Sequence, residues 1–243
     1  MLAIFKREIQ SFFTSPIAYL VIGLFLVLNG LFLWVFKGPY NIFEYGFADL
    51  SNFFQLVPWV FLFLIPAITM KSFSEERKLG TLELLFIKPL SLSQTVLGKF
   101  FGTLVLGIIA LLPTFIYVHA INELGATVGN LDMGPVIGSY TGTLFLMSCY
   151  TAIGIFASTL SENQIVAFII GVVLCFLLFY GFEGLASLFE SGQAALTVQS
   201  FGMKHHFDSI SLGMLDTRDL LYFISLSAFF LFLTWQQLKN MNR

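Results

Sequence analysis

Phe53-Phe-Gln-Leu-Val-Pro-Trp-Val-Phe-Leu-Phe-Leu-Ile-Pro-Ala-Ile-Thr-Met70 runs without a charge and is followed at once by Lys71-Ser-Phe-Ser-Glu-Glu-Arg77-Lys78. About 20 apolar residues at 1.5 Å per helical residue cross the roughly 30 Å of hydrocarbon in a bilayer. The first block is therefore long enough to span, and the second marks where the chain meets water. Five further apolar runs share this form: 17–36, 100–120, 136–160, 165–182 and 220–238. None alternates with period two, so a barrel is excluded and an all-α integral membrane protein of six spans is expected. Composition agrees, with 57% apolar and 11% charged residues against about 25% charged in an ordinary soluble domain.

Charge orients the spans. With the N-terminus inside, Lys6, Arg7, Lys71, Arg77, Lys78, Lys88, Lys99, Lys239 and Arg243 fall on the cytoplasmic side, leaving only Lys37, Lys204 and Arg218 outside. Both termini are then cytoplasmic. The first run follows Lys6 and Arg7 as a signal sequence would, but it is long and no A-x-A site follows, so an uncleaved span is expected. Cys149 and Cys175 lie inside apolar runs and read as small buried hydrophobes rather than a disulfide.

The divisions that follow are an amphipathic interfacial helix (1–15), two spans (16–71), a cytoplasmic segment (72–99), three spans (100–182), an extracytoplasmic segment that in part re-enters the membrane (183–217), and a last span with a cytoplasmic tail (218–243). In the first of these, Leu2, Phe5, Ile9, Phe12 and Phe13 recur at helical spacing among polar residues. Pro58, Pro66 and Pro113 each remove a helical donor inside a span. Gly98 with Gly102, and Gly138 with Gly142, form two G-x-x-x-G spacings that suit close helix packing.

The segment between the second and third spans has legible punctuation. Gly80 can adopt the left-handed conformation that ends a helix, and Thr81 can cap a short new one running to Lys88. Pro89 blocks its continuation, and Ser91 with Gln94 has the capping-box spacing that opens the third span. Leu82, Leu84, Leu85 and Phe86 on that short helix stand below the bilayer, so their burial calls for a groove on another chain.

Catalytic patterns fail on inspection. Glu75-Glu76 suggests the E-E-x-x-x-R signature of intramembrane CAAX-type proteases, but Gly80 stands where the arginine would be. His205, His206 and Asp208 are too few and too clustered in sequence for a defined metal site. Gly98-Lys99 ends like a phosphate-binding loop, yet Ser93 occupies the first glycine position and no strand precedes it. Any use of ATP must depend on a separate chain. Asp216, Thr217 and Asp219 suit the capped start of the last helix.

Six spans, an N-terminal interfacial helix and the segment Ser74-Glu-Glu-Arg-Lys-Leu-Gly-Thr-Leu-Glu-Leu-Leu-Phe-Ile-Lys-Pro-Leu-Ser91 resemble the ABC-2 family of ABC transporter permeases, of the type V exporter kind, over nearly the whole chain. The family's E-E-x-x-x-G-T-x-E-x-L-L-x-x-P-x-S stretch meets the ATPase. Carried over, the resemblance implies a coupling role for Glu75, Glu76, Gly80, Thr81, Glu83, Leu84, Leu85, Pro89 and Ser91, with Leu82, Phe86 and Lys88 on the same helix. A second stretch, with His206, Phe207, Gly213, Asp216, Arg218 and Asp219, resembles the approach to the last helix in the branch holding the gliding-motility-associated permease and the permease of nitrous-oxide reductase maturation, more like the former. The resemblance implies a transport subunit of the bacterial inner membrane with no cofactor of its own. ATP and Mg2+ would sit on a cytoplasmic ATPase dimer, and a second permease, a copy or a relative, would complete the path. Lipid is the other partner, and nucleic acid is none. A membrane anchor that passes ATPase motion outward without transport stays open beside it.

Overall fold

The computed structural model of the chain describes residues 1–83, 91–125, 131–214 and 216–241. Among them there is no strand, and six helices are long and apolar enough to cross a membrane: Ile17–Val35, Ser51–Lys78, Leu92–Leu124, Met133–Leu160, Gln164–Ala186 and Thr217–Met241. These are the six spans expected. Several outrun their apolar cores, the second by two turns past Met70. The helix Leu2–Thr14 precedes them.

The second and fourth spans form the centre. In each, 72% of the apolar window is buried within the chain, against 22% for the first and fifth, 28% for the sixth and 33% for the third. The least buried spans leave most of their apolar surface uncovered by the chain itself. Centrality selects small and hydroxyl side chains. Gly154 lets the fourth span approach the second at Thr69, and Gly107 lets the third approach Met147. Buried hydroxyls are satisfied within their own helices: Thr69 Oγ1 donates to Ile65 O (2.9 Å), Thr143 Oγ1 to Ser139 O (2.8 Å) and Thr234 Oγ1 to Phe230 O (2.9 Å). Cys149 and Cys175 are free and fully buried, and Cys149 Sγ lies 3.2 Å from Phe223 O on the sixth span.

Helical irregularities sit where backbone bonding is interrupted. Pro113 lies in a 3-10 turn, Leu112–Thr114, within the third span. Pro58 and Pro66 are accommodated inside the helix Ser51–Thr69. The first and fifth spans each contain one π-helical turn, Leu31–Val35 and Leu177–Gly181, at positions no proline announces.

Both G-x-x-x-G pairs are packing sites, and each receives a helix that does not span. A Cβ on Gly98 would lie 2.9 Å from Ile4 Cβ, and one on Gly102 would lie 2.8 Å from Glu8 Cβ, so the N-terminal helix rests on the third span. Its Ile4 is buried there, while Phe12 and Phe13 pack against Ala18, Ile68 and Leu106. One face of the amphipathic helix thus rests on protein, with Ile4 buried and Leu2 exposed. Gly138 and Gly142 receive the helix Met203–Ser211, through Ile210 and Phe207. That helix lies beside the fourth span about one and a half to two and a half turns in from its start at Met133, and buries Met203, Phe207 and Ile210.

Candidate coupling site

The second span ends as its punctuation implies. Gly80 has φ of +67°, Gly80 N–H donates to Arg77 O (3.1 Å) and Thr81 N–H to Glu76 O (2.9 Å). These two bonds are the Schellman arrangement that satisfies the last carbonyls of a helix, with the left-handed residue that glycine tolerates best. Thr81 Oγ1 also donates to Glu76 O (3.3 Å). Leu82 and Glu83, immediately afterwards, are helical. Ser91 caps the third span, its Oγ accepting from Gln94 N–H at 3.3 Å. Leu84, Leu85, Phe86, Lys88 and Pro89, assigned from sequence to the coupling helix, lie outside the described residues. Leu82 packs in the chain's own core, at 8% exposure, and Glu83 is exposed.

Four charged side chains on three elements meet beside this turn. Lys99 Nζ lies 3.1 Å from Glu8 Oε1 and 3.0 Å from Glu76 Oε1, and an Arg7 guanidinium nitrogen lies 3.2 Å and 3.0 Å from the same two atoms. The two cations and two anions close a neutral ring. Lys99 is 3% exposed and sits 5.0 Å from the centre of the Phe73 ring, so its charge is tolerated only because both carboxylates face it. Partial burial works against the Arg7 charge, but the bond to Glu8 and the nearby Glu76 and Glu8 carboxylates more than offset this and raise its pKa. Glu76 thus ties the end of the second span to the third span and to the N-terminal helix. Glu75, half-buried, precedes it on the same helix.

Arg77 makes the other tie. One guanidinium nitrogen donates to Thr159 O (2.7 Å) and another to Glu162 Oε1 (3.2 Å). The first bond satisfies a carbonyl at the C-terminal end of the fourth span, where a cation also meets the negative end of the helix dipole. Arg77 thus ties the two central spans together at this end.

Sequence reasoning singled out Glu76 but not Glu8, Arg7 or Lys99 as its partners. The signal was present in Lys99, a lysine beside Gly98 at the edge of an apolar run, because a buried ammonium requires carboxylates.

The second group of candidate residues forms a clamp at the opposite end. His206 Nδ1 lies 2.7 Å from Asp219 Oδ1 and Nε2 lies 2.8 Å from Ser200 O. Each ring nitrogen therefore faces an oxygen that can accept a hydrogen bond. The ring stacks on Tyr222 (centroids 4.0 Å apart), whose hydroxyl donates to Phe201 O at 2.7 Å. Asp216 Oδ1 accepts from Arg218 N–H (2.9 Å) and so caps the last span; Arg218 itself is exposed. Gly213, with φ of +84°, ends the outer helix against Gly134 and Pro135. Phe207 is buried on Gly142. The motif's residues thus fasten the outer helix to the last span. Among the described residues, no three His, Cys, Asp or Glu side chains gather as metal ligands.

Six apolar helices, the second and fourth at their centre, with charged ties at the end of the second, define a multi-pass membrane protein. Residues 2–238 match the family described as ABC-2 family transporter protein, and the chain belongs to that family. It is therefore a transmembrane component of an ABC transporter, in a family whose ATP hydrolysis is supplied by a partner and which normally works with a second permease. No curated protein matches the chain significantly.

Proposed function

We propose that the chain is the permease half of an exporter of the bacterial inner membrane, with both termini cytoplasmic, and that a cytoplasmic ATPase dimer docks on residues 81–91. ATP and Mg2+ belong to that dimer. A second permease, a copy of this chain or a relative, completes the path. The resemblance of the residue 206–219 stretch supports membership of the gliding-motility-associated complex, with its cargo unspecified.

The observation that carries this reading is the pinned second span. One helix runs from Ser51 to Lys78, is mostly buried, and is tied at its end to three other elements through Glu76 and Arg77. A displacement delivered at Thr81 would reach the third and fourth spans and the N-terminal helix together. To move such an assembly from 1:99 to 99:1 requires about 5.5 kcal/mol of differential ATPase binding.

Replacing Leu84 and Leu85 together with aspartate tests the docking site. Burying each leucine contributes about 1.5 to 3 kcal/mol, so the double variant is expected in the membrane but without co-purifying ATPase. Retention of the ATPase at normal stoichiometry would place the dock elsewhere. A second reading, a non-transporting anchor that passes motion outward, draws support from the outer clamp, which fastens an external helix to the last span. ATP-dependent movement of lipid or cargo by the reconstituted complex would decide for transport.

A further inference from the structure

The end of the molecule opposite the coupling site holds a cleft of about 750 Å³ that neither the family nor the coupling reading employs. Five elements build it: the loop at Tyr40, the start of the second span, the start of the fourth, the π-helical turn of the fifth, and the outer helix. Its volume is that of a small-molecule site rather than of a packing defect.

The lining is amphipathic in a specific sense. Phe54, Trp59, Phe179 and Phe207 supply aromatic walls, with Trp59 set 5.9 Å from Phe179 and 5.6 Å from Tyr180 between ring centroids. The π turn is what carries Phe179 and Tyr180 to this wall. The charged groups are Asp49, Asp132 and Asp208 against a single cation, Lys204. Lys204 Nζ is engaged by Glu183 Oε1 at 2.6 Å, outside the lining, and lies 3.9 Å from Asp208 Oδ2, so its charge is shared between two carboxylates and the lining keeps an excess of negative charge. Pro58 also lines the cleft and has no N–H to give to Phe54 O, which leaves that carbonyl without its helical donor. The cleft therefore offers acceptors, negative charge and aromatic faces, the combination that attracts a cationic donor.

We propose that this cleft binds an amphiphile with an ammonium head, its apolar part against Trp59 and Phe179 and its head among the three carboxylates. A lipid aminoethyl headgroup and a free long-chain amine share that chemistry. The inference is independent of ATPase docking, since it is read by equilibrium binding to the permease alone.

Trp59 is a built-in reporter once Trp34 and Trp235 are changed to phenylalanine. The protein is placed in phosphatidylcholine nanodiscs containing, at equal mole fraction, brominated phosphatidylethanolamine or brominated phosphatidylglycerol. In parallel, intact discs are titrated with decylammonium or decyl sulfate. Stronger Trp59 quenching by the brominated ethanolamine lipid than by the glycerol lipid assigns the site to a headgroup. A saturable decylammonium response without that lipid preference assigns it to a free amine. Asp49→Asn, Asp132→Asn and Asp208→Asn combined should weaken the response about tenfold, as three partly screened ionic contacts are removed. Asparagine preserves the caps that Asp49 and Asp132 give to Ser51 N–H and Gly134 N–H, so loss of fold is not the expected cause. Lys204→Gln is the independent arm and should tighten the amine response. Equal quenching by both lipids together with equal responses to decylammonium and decyl sulfate would overturn the proposal, as would a Lys204→Gln variant that binds the amine less tightly.

Discussion

Lys99→Met isolates the buried charge ring. Methionine keeps most of the length and the contact with Phe73 while removing the ammonium, so the loss is electrostatic rather than a cavity. It leaves Glu8 and Glu76, whose side chains are 13% and 16% exposed, sharing the half-exposed Arg7. Breaking a fully buried pair costs about 3 to 5 kcal/mol, and the carboxylates' access to water reduces this to about 2 kcal/mol. The N-terminal helix should loosen first, because Glu8 is its inward-facing charged group and Gly102 leaves no side chain to hold it. Reversible denaturation in mixed micelles measures the loss, and amide hydrogen exchange over residues 4–13 locates it. Adding Glu76→Gln restores charge balance, so the double-mutant cycle should return a coupling of about 1.5 kcal/mol. A loss below about 0.5 kcal/mol with a coupling near zero would mean that the four side chains are neighbours without being interdependent.

Gly102→Leu should dislodge the N-terminal helix at a cost of about 1 to 3 kcal/mol, since the backbone-proximal Glu8 Cβ cannot rotate out of the way; unchanged exchange of the helix amides would contradict this. Cysteines introduced by Leu79→Cys and Ser191→Cys should react with impermeant maleimide from opposite faces of the membrane, against a quiet background because Cys149 and Cys175 are fully buried. Labelling of both from one face would overturn the topology. His206→Ala removes the partners of buried Asp219 and of Ser200 O, a loss of about 2 kcal/mol that should speed exchange of the Met203–Ser211 amides at least tenfold; unaltered protection there would leave the clamp without energetic content.

Much of this architecture was legible because a bilayer imposes long apolar runs, and because helix ends announce themselves. Gly80 and Ser91 stand where their chemistry demands, one left-handed and one accepting from Gln94 N–H. The two glycine pairs were legible as packing sites but not as to partner. G-x-x-x-G specifies a flat face, and nothing local in Gly98 and Gly102 distinguishes a spanning neighbour from the amphipathic helix that occupies it. The charge ring was hidden for a similar reason: Glu8 and Lys99 are 91 positions apart, and only the seating of one helix on another brings them together. The π turns at Leu31–Val35 and Leu177–Gly181 carry no proline that marks them in the sequence. Leu82 read as a partner-facing residue because it stands below the bilayer with Leu84, Leu85 and Phe86, whereas the fold buries it in the chain's own core.

The inverted distribution of polarity bears on how the chain is made. Among the first five spans, the two most enclosed by protein, the second and fourth, have the lowest mean hydropathies, 2.0 and 1.6, while the little-covered fifth reaches 2.8. The fourth carries hydroxyls and glycines that its neighbours cover, so it has the weaker intrinsic claim on the bilayer at the moment it leaves the insertion machinery. Its residence in the membrane depends on the second and third spans, synthesised before it, being available as a surface to lean on. Substitutions such as Gly154→Leu or Gly107→Leu, which close that surface, should therefore appear as failures of biogenesis, with the fourth span stranded and degraded, rather than as a mature transporter of reduced activity.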